Sequence, residues 1–364
     1  MQNLLFYTKH DVINPHGGRE KLSAILYNSL KNNFKSNFYY FNINKEKSSF
    51  FDKFAWNYID NVNYSNLKKL KSLLIKHNIN NIFIDGSNFG SVCKYLKNNN
   101  LNIKIFVYFH NFESKFFLES FYFNRTLKSF FVFCLNNISE KKSLNNSDHI
   151  ICLTKIDKKK IINMGFNKKI DILPLSVKDE FSENETKFIN KKNKKYVMFI
   201  GTNFYANIHG IEWFLKNVSP FIEFDTYIIG KGFNKLEKKY KNKNIKFFGY
   251  QSKIYQFYNN ASAIISPIFK GSGMETKIAE ALMFGKVIVA TSNSYRGYEN
   301  LNNSTCIRAN NKSEFITVLN KLYNNLDKKF ENLNRLTYKK NYSEVILNYK
   351  LQQILVNEIY NHNT

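Results

Sequence analysis

The sequence predicts an α/β chain built from two Rossmann-like, doubly wound domains that face a central cleft. Three observations predict it. Short apolar runs rich in β-branched and aromatic residues alternate with amphipathic stretches of about ten to fifteen residues, the pattern of parallel sheets covered by helices. The alternation breaks once, over residues 178–195 (KDEFSENETKFINKKNKK), where apolar periodicity disappears. Nine of the 14 glycines fall between Gly201 and Gly297, at strand ends and helix starts, so the ligand-binding edge of an open sheet is expected in the second half. A length of 364 residues suits two domains. The expected division is an N-terminal domain over 1–177, a linker over 178–195, and a second domain over 196–342. A last helix over 343–364 could return to the first domain.

The elements follow in order. NLLFYT (3–8) reads as a strand and REKLSAILYNSLKNN (19–33) as an amphipathic helix. FYYFNI is a second strand, NLKKLKSLLIKHN a helix, NIFID a strand, SVCKYLKNN a helix and IKIFVYFH (103–110) a strand. A long aromatic helical region comes next, then strand HIICLT, helix DKKKIINMG and strand KIDILPL. Past the linker the pattern restarts with YVMFIGT, helix IHGIEWFLKNV, strand TYIIGKG, a helix, IKFFGY, IYQFYNNA, AIISPIF, a Gly-rich turn with its helix, VIVAT and CIRA. The tail YSEVILNYKLQQILVNEIY is a final helix.

Composition excludes several classes. A hydrophobic fraction of 43% supplies two real cores, yet no apolar run reaches the roughly 18 residues that a membrane span needs. MQNLLFYTKH lacks the basic start and cleavage site of a signal peptide. The four cysteines are scattered without a CxxC pair, which argues for a reducing, cytoplasmic setting and against a disulfide framework or zinc site. The net charge of +26 comes almost wholly from Lys, with only five Arg. Abundant Lys, Asn, Ile, Phe and Tyr is what an AT-biased genome produces, so solvated drift competes with attraction to anionic lipid or substrate. Nucleic acid is not an expected partner, because Arg is scarce and no recognition signature is present.

The most informative segment is GSGMETKIAEALMFG (271–285), between the apolar runs AIISPIF and VIVAT. Strand, glycine-rich turn and helix start together make an anion site, because the first-turn N–H groups point at negative charge. Lys277 lies in that first turn, where the helix dipole disfavours a cation unless an anion is near. A phosphate-bearing ligand is expected there.

GTNFYANIHGIEWFLKNVSP, IIGKG, FFGY and PIFKGSGMETKIAEALMFGKVIVAT, in that order, resemble the nucleotide-sugar half of family 4 glycosyltransferases of the GT-B type. The resemblance is strong over residues 196–300. It reaches the first domain more weakly, through PHGGRE and FHNFES (109–114). It implies transfer of a sugar from a nucleotide diphosphate donor, usually with retention, to a glycan or lipid-linked acceptor. The donor would sit mainly on the second domain and the acceptor on the first. It implies no cofactor beyond the nucleotide-sugar co-substrate, whose base stays open. No D-x-D occurs, so the carboxylate pair with which other sugar transferases hold a metal is missing.

Residue by residue, the resemblance places the donor diphosphate at Lys277 and the backbone of Gly273, Met274 and Thr276, and the ribose at Glu280. Ser272 stands where relatives often carry a glutamate contacting the sugar. Glu275 could supply a carboxylate instead, or be an exposed helix-start residue. Asn203, with Thr202 and Asn207, occupies the place of a basic pair. Gly249 and Tyr250 fall where the base binds. Gly17 and Gly18 form the turn that approaches sugar and diphosphate. His110 would contact the sugar, oriented by Glu113 unless Glu113 is a helix cap. The plain alternatives are a solvated Lys277, a surface pair between Lys277 and Glu280, and a core role for Tyr250. The catalytic candidates are thus His110 and Glu275. The aromatic stretch Phe116–Phe133 reads first as a buried helix pair, second as a shallow contact with anionic membrane on the inner face of the cytoplasmic membrane. The process implied is assembly of bacterial surface polysaccharide, lipopolysaccharide, capsule or glycolipid. A sugar-nucleotide sensor, a sugar-nucleotide epimerase of similar fold, and a basic nucleic-acid-binding protein are the competing readings.

Overall fold

The computed structural model describes residues 2–15, 17–43, 48–182, 195–240, 242–298, 301, 304–325 and 331–359. Most of the expected linker, 183–194, lies outside them. The chain divides into two units, Met1–Leu175 with Glu344–Thr364, and Ser176–Ser343.

In the first unit, β1 (Leu4–Thr8), β2 (Phe38–Asn42), β3 (Asn81–Ile84), β4 (Lys104–Phe109), β5 (His149–Cys152) and β6 (Lys169–Ile172) form one sheet. Its order is β2-β1-β3-β4-β5-β6 and every pairing is parallel. The strands read as continuous apolar runs because helices cover both faces. Successive side chains alternate sides. Leu5, Tyr7, Ile82, Ile84, Ile105 and Val107 therefore share one core with Leu70, Leu74, Val92 and Leu96. Phe6, Phe83 and Tyr108 pack ring against ring on the other face, tilted by 40° and 43°.

The helices are α1 (Gly18–Phe34), α2 (Tyr64–Lys76), α3 (Gly90–Asn98), α4 (Glu113–Asn124), α5 (Leu127–Asn146) and α6 (Lys155–Asn163). Several start on side-chain caps: Asn63 accepts from the Asn66 N–H at 2.8 Å and Thr154 from the Asp157 N–H at 3.0 Å. The C-terminal helix (Glu344–Ile359) joins this unit through Asn348, which accepts from Ser29 and Asn33. Its Glu358 pairs with Lys104 and Lys169, both at 2.5 Å.

In the second unit, β7 (Tyr196–Ile200), β8 (Asp225–Ile229), β9 (Ile245–Phe248), β10 (Ala263–Ser266), β11 (Val287–Ala290) and β12 (Cys306–Arg308) run parallel in the order β12-β11-β10-β7-β8-β9. Counted within the unit, this is the 3-2-1-4-5-6 order of dinucleotide-binding sheets. The helices are α7 (Tyr205–Asn217), α8 (Asn234–Tyr240), α9 (Tyr255–Asn260), α10 (Thr276–Met283), α11 (Lys312–Asn325) and α12 (Asn332–Asn341). The two-sheet α/β architecture is thus the one the sequence predicts. It adds α11 and α12, for which the apolar pattern raised no expectation. The inward face of α12 is Asn334, Arg335 and Tyr338, whose polar groups bond to buried backbone.

The aromatic stretch departs from its first reading. Of α4 only Glu113 is buried, and of α5 the buried residues are Asn136, Ser139, Glu140, Ser143 and Leu144. The small and polar side faces inward, and Tyr122, Phe123, Leu127, Phe130 and Phe131 are exposed. No helix among the described residues is long and apolar enough to cross a membrane.

Candidate active site

In the second sheet β7 and β10 are neighbours, but their connections leave in opposite directions, β7 toward β8 and β10 toward β11. That divergence opens a crevice outside the carboxyl ends of the two strands, where such sheets bind ligands. The segment after β10 carries Gly271 and Gly273 at φ 118° and 82°. A side chain on a left-handed residue costs roughly 1–2 kcal/mol, so both turns need glycine. They deliver the chain to α10, whose N-cap residue Glu275 makes no side-chain hydrogen bond to the backbone N–H groups of the first turn. Of the first-turn N–H groups, that of Ile278 donates to the Glu275 carbonyl at 3.0 Å, and those of Thr276 and Lys277 make no hydrogen bond among the described residues.

Lys277 is not the solvated lysine of the plain alternative. It is 5% exposed, with Nζ donating to Asn207 Oδ1 at 3.0 Å and to Glu275 Oε2 at 2.9 Å, over the Phe199 ring. Asn207 is itself fixed by donating from Nδ2 to the Thr202 carbonyl at 2.9 Å. Glu275 thus supplies the anion that a first-turn lysine requires, and its carbonyl accepts from the Tyr298 hydroxyl at 3.0 Å. Nor does Glu280 form a surface pair with Lys277. Glu280 is buried and accepts from the Tyr258 hydroxyl at 2.8 Å. Burial, and next the Glu280 charge, push that hydroxyl well above its ordinary pKa, so Tyr258 stays a donor.

The other expected residues of this unit gather less tightly. Ser272 Oγ is buried without a hydrogen-bond partner among the described residues, and Met274 is buried. Thr276 opens α10. Asn203 sits against Gly232, where an added Cβ would come within 2.4 Å of the Asn203 Cβ. Gly249 and Tyr250 follow β9 at the sheet edge, two strands from β7. Tyr250 is half exposed beneath Lys231 rather than core.

The first unit gathers its own cluster beyond the carboxyl ends of β1, β3 and β4, which are adjacent. His110 directly follows β4, and its Nε2 meets Asp85 Oδ1, directly after β3. Asp85 Oδ2 accepts from Thr8 at 2.7 Å and from Ser23 at 2.6 Å. Burial alone would raise the Asp85 carboxyl; the facing His110 ring and the Ser23 hydroxyl outweigh it and hold it well below the ordinary range. His10 lies beside them, its ring 6.5 Å from that of His110. Burial pushes His10 down to about 3, so it stays neutral.

The expected Glu113–His110 partnership is not formed. Glu113 opens α4, and its carboxylate accepts from Arg19 at 2.5 Å. Glu113 is not the cap of α4 either: Phe112 holds that position, and the Glu113 N–H donates to Glu140 Oε1 at 2.9 Å. Glu140, buried on α5, also accepts from Ser87 and Ser114. Burial pushes its carboxyl up to about 7, with the Ser114 bond partly offsetting. Gly17 is the N-cap of α1 and Gly18 its first residue; a Cβ added at Gly17 would meet nothing within 4 Å.

Sequence reasoning missed Asp85, His10, Tyr258 and Glu140. Asp85 had a signal, a carboxylate closing a strand just as His110 does. Pairing the two required knowing that β3 and β4 are neighbours. Among the described residues no group of three or more His, Cys, Asp or Glu is placed to hold a metal ion.

Residues 194–325 match the family model described as glycosyl transferases group 1. No protein of curated function matches the chain by sequence. Among solved structures, HepE of Anabaena in complex with UDP and glucose is 11% identical with a TM-score of 0.70, over 98% of this chain and 100% of that one. A glycosyltransferase from Rickettsia africae is 16% identical with a TM-score of 0.68, over 99% of both. A UDP-forming α,α-trehalose-phosphate synthase from Burkholderia xenovorans is 10% identical with a TM-score of 0.64, over 98% of this chain and 99% of that one. At such identities the likeness establishes the fold, which is GT-B. The family match lies within the second unit, where residues 194–325 are similar to glycosyl transferases group 1.

Proposed function

We propose that the protein is a retaining, metal-independent glycosyltransferase that moves a sugar from a uridine diphosphate donor to a glycan or lipid-linked acceptor in the assembly of bacterial surface polysaccharide or glycolipid. The observation that carries the donor site is the start of α10. An uncapped helix N-terminus, two left-handed glycines and a buried lysine stand together at the topological switch point. The leaving diphosphate gains negative charge in the transition state, and preorganised N–H groups with a lysine stabilise it without a metal. Glu280, held by Tyr258, takes the ribose hydroxyls, and Ser272, whose buried Oγ has no partner among the described residues, serves the sugar. His110 and Glu275 serve the transferred sugar. Uridine is favoured by the UDP bound to HepE and by the UDP-forming synthase.

The test is a thermal-shift panel of UDP-, GDP-, ADP- and CMP-sugars, since a ligand selective for the native state raises the midpoint. UDP-sugars should raise it most; no shift from any of them refutes the donor site. Turnover separates the enzyme from a sensor. Conversion of donor without acceptor would indicate an epimerase, and salt-dependent oligonucleotide binding a nucleic-acid protein.

A specific observation supports work at the inner face of the cytoplasmic membrane. Besides the exposed rings of α4 and α5, Phe50, Phe51, Phe54 and Trp56 are exposed on a segment tied to α5 through Asn57 and Lys142. In a chain of net charge +26, such rings suit docking on anionic lipid. Sedimentation with phosphatidylglycerol vesicles and not with phosphatidylcholine vesicles is expected; equal sedimentation with both, or none, removes the membrane from the proposal.

A further inference from the structure

We infer that Asp85 is a positioning residue for His110. It holds the imidazole as the Nε2–H tautomer, so that Nδ1 presents a lone pair to a hydroxyl of the bound sugar. This rests on the reading that His110 serves the transfer reaction.

The argument begins with the hydrogen bonds of Asp85. An ionised carboxylate only accepts. Its Oδ2 takes two protons, from Thr8 and Ser23, and Oδ1 faces His110 Nε2. Nε2 must therefore carry a proton. Asp85 is fully buried, and its partners come from β1, α1 and the residue after β4, so the arrangement is fixed by three separate elements. The Tyr108 ring lies edge-on at 4.7 Å and the His10 ring at 6.5 Å, which confines the His110 plane. His110 Nδ1 makes no hydrogen bond to any described residue. With the proton placed on Nε2, the neutral ring offers an acceptor at Nδ1, and the tautomer is set by the bond on the other nitrogen.

The two hydroxyls give the inference a sharp consequence. In Asp85→Asn, the amide oxygen is retained by Thr8 and Ser23, which donate to that side. The amide NH2 then faces His110 Nε2, which can only accept. The imidazole proton moves to Nδ1, and the nitrogen offered to the sugar changes from acceptor to donor. Removing the hydroxyls in Thr8→Val/Ser23→Ala/Asp85→Asn frees the amide to turn its oxygen to His110 and restores the first tautomer.

The experiment is a long-range 1H–15N correlation spectrum of the full chain above the pH at which the ring protonates, with the His110 signals assigned by their loss in His110→Gln. Donor turnover is measured on the same samples. The unmutated chain should show Nε2–H for His110, Asp85→Asn should show Nδ1–H, and the triple variant should return to Nε2–H. Turnover should fall roughly 10- to 100-fold in Asp85→Asn, the size of a lost hydrogen bond in a charged site, and partly recover in the triple variant. Nδ1–H in the unmutated chain overturns the inference even if the variants fold poorly. So does a turnover loss in Asp85→Asn without a change of tautomer, or a change of tautomer without a turnover loss. Binding of UDP-sugars by thermal shift is read in parallel. Its absence in the unmutated chain would refute the donor reading while the tautomer signals still judge Asp85.

Discussion

Replacing Lys277 with alanine separates phosphate recognition from nucleoside recognition. Lys277 Nζ is buried between Asn207 and Glu275 at the start of α10, so its charge acts where few solvent dipoles compete. A hydrogen bond to a charged group contributes about 1.5–3 kcal/mol, and about 1.4 kcal/mol is one factor of ten in affinity. Nucleoside diphosphate binding should therefore weaken by roughly 10- to 150-fold in Lys277→Ala, while binding of the nucleoside changes less than about twofold. Glu275 complicates the single variant, because its carboxylate loses its counter-charge beside the ligand. Glu275→Gln alone should bind the diphosphate at least as well as the unmutated chain, since it removes a negative charge from the site. The double variant should lie above Lys277→Ala in affinity, and the coupling between the two follows from the cycle. Titration calorimetry with UDP and uridine measures all four corners. Equal losses for UDP and uridine in Lys277→Ala would refute the assignment of Lys277 to the phosphates.

Three further outcomes follow from the same geometry. Gly273→Ala forces a methyl onto a residue at φ 82° and should cost roughly 1–2 kcal/mol of stability, visible in chemical denaturation, together with weaker UDP binding. Glu280→Gln keeps shape but loses half its acceptor capacity; it should weaken binding of the ribonucleotide more than of its 2′-deoxy analogue, which isothermal titration resolves. The folded-state pKa of Glu140, about 7, lies above its ordinary value of 4.5, so the folded chain binds this proton more tightly. Its contribution is full below pH 4.5 and is lost as pH rises through 7, so the melting temperature of Glu140→Gln should fall less than that of the unmutated chain across this window.

Parallel strands were legible because each is buried on both faces and appears as an uninterrupted apolar run, as in LLFYT of β1 and VIVA of β11. α10 was legible for a related reason: a glycine turn, a helix start and a lysine occur within seven residues, and the strand before them fixes where they point. α12 was not, because its buried positions are Asn334, Arg335 and Tyr338. These are inward only because backbone carbonyls of Met283, Lys286 and Val177 need donors, a demand invisible without the fold. The aromatic stretch misled in the opposite sense. Ring content suggested burial, yet Ser139 and Ser143 face inward, where they donate to the Asn88 and Ser87 carbonyls at 2.6 and 2.7 Å, and α5 lies so close that a Cβ added at Gly90 would come within 1.9 Å of the Ser139 carbonyl oxygen. Close approach of α3 and α5 requires small side chains, and it turns the rings outward.

The same contrast separates the two clusters. Lys277, Glu275 and Glu280 lie within six residues of one helix start, so local spacing sufficed to single them out. The His110 cluster draws Thr8, Ser23, Asp85 and His110 from four places in the chain, and only the order β1-β3-β4 makes them neighbours. Glu113, three residues from His110, was the nearest carboxylate in sequence and the wrong one. It starts α4 and is drawn to Arg19 on α1. Asp85 instead closes the strand beside β4, and in a parallel sheet the residues that follow adjacent strands emerge side by side at one edge. Proximity across the strand ends, rather than along the chain, therefore decides which carboxylate orients the histidine.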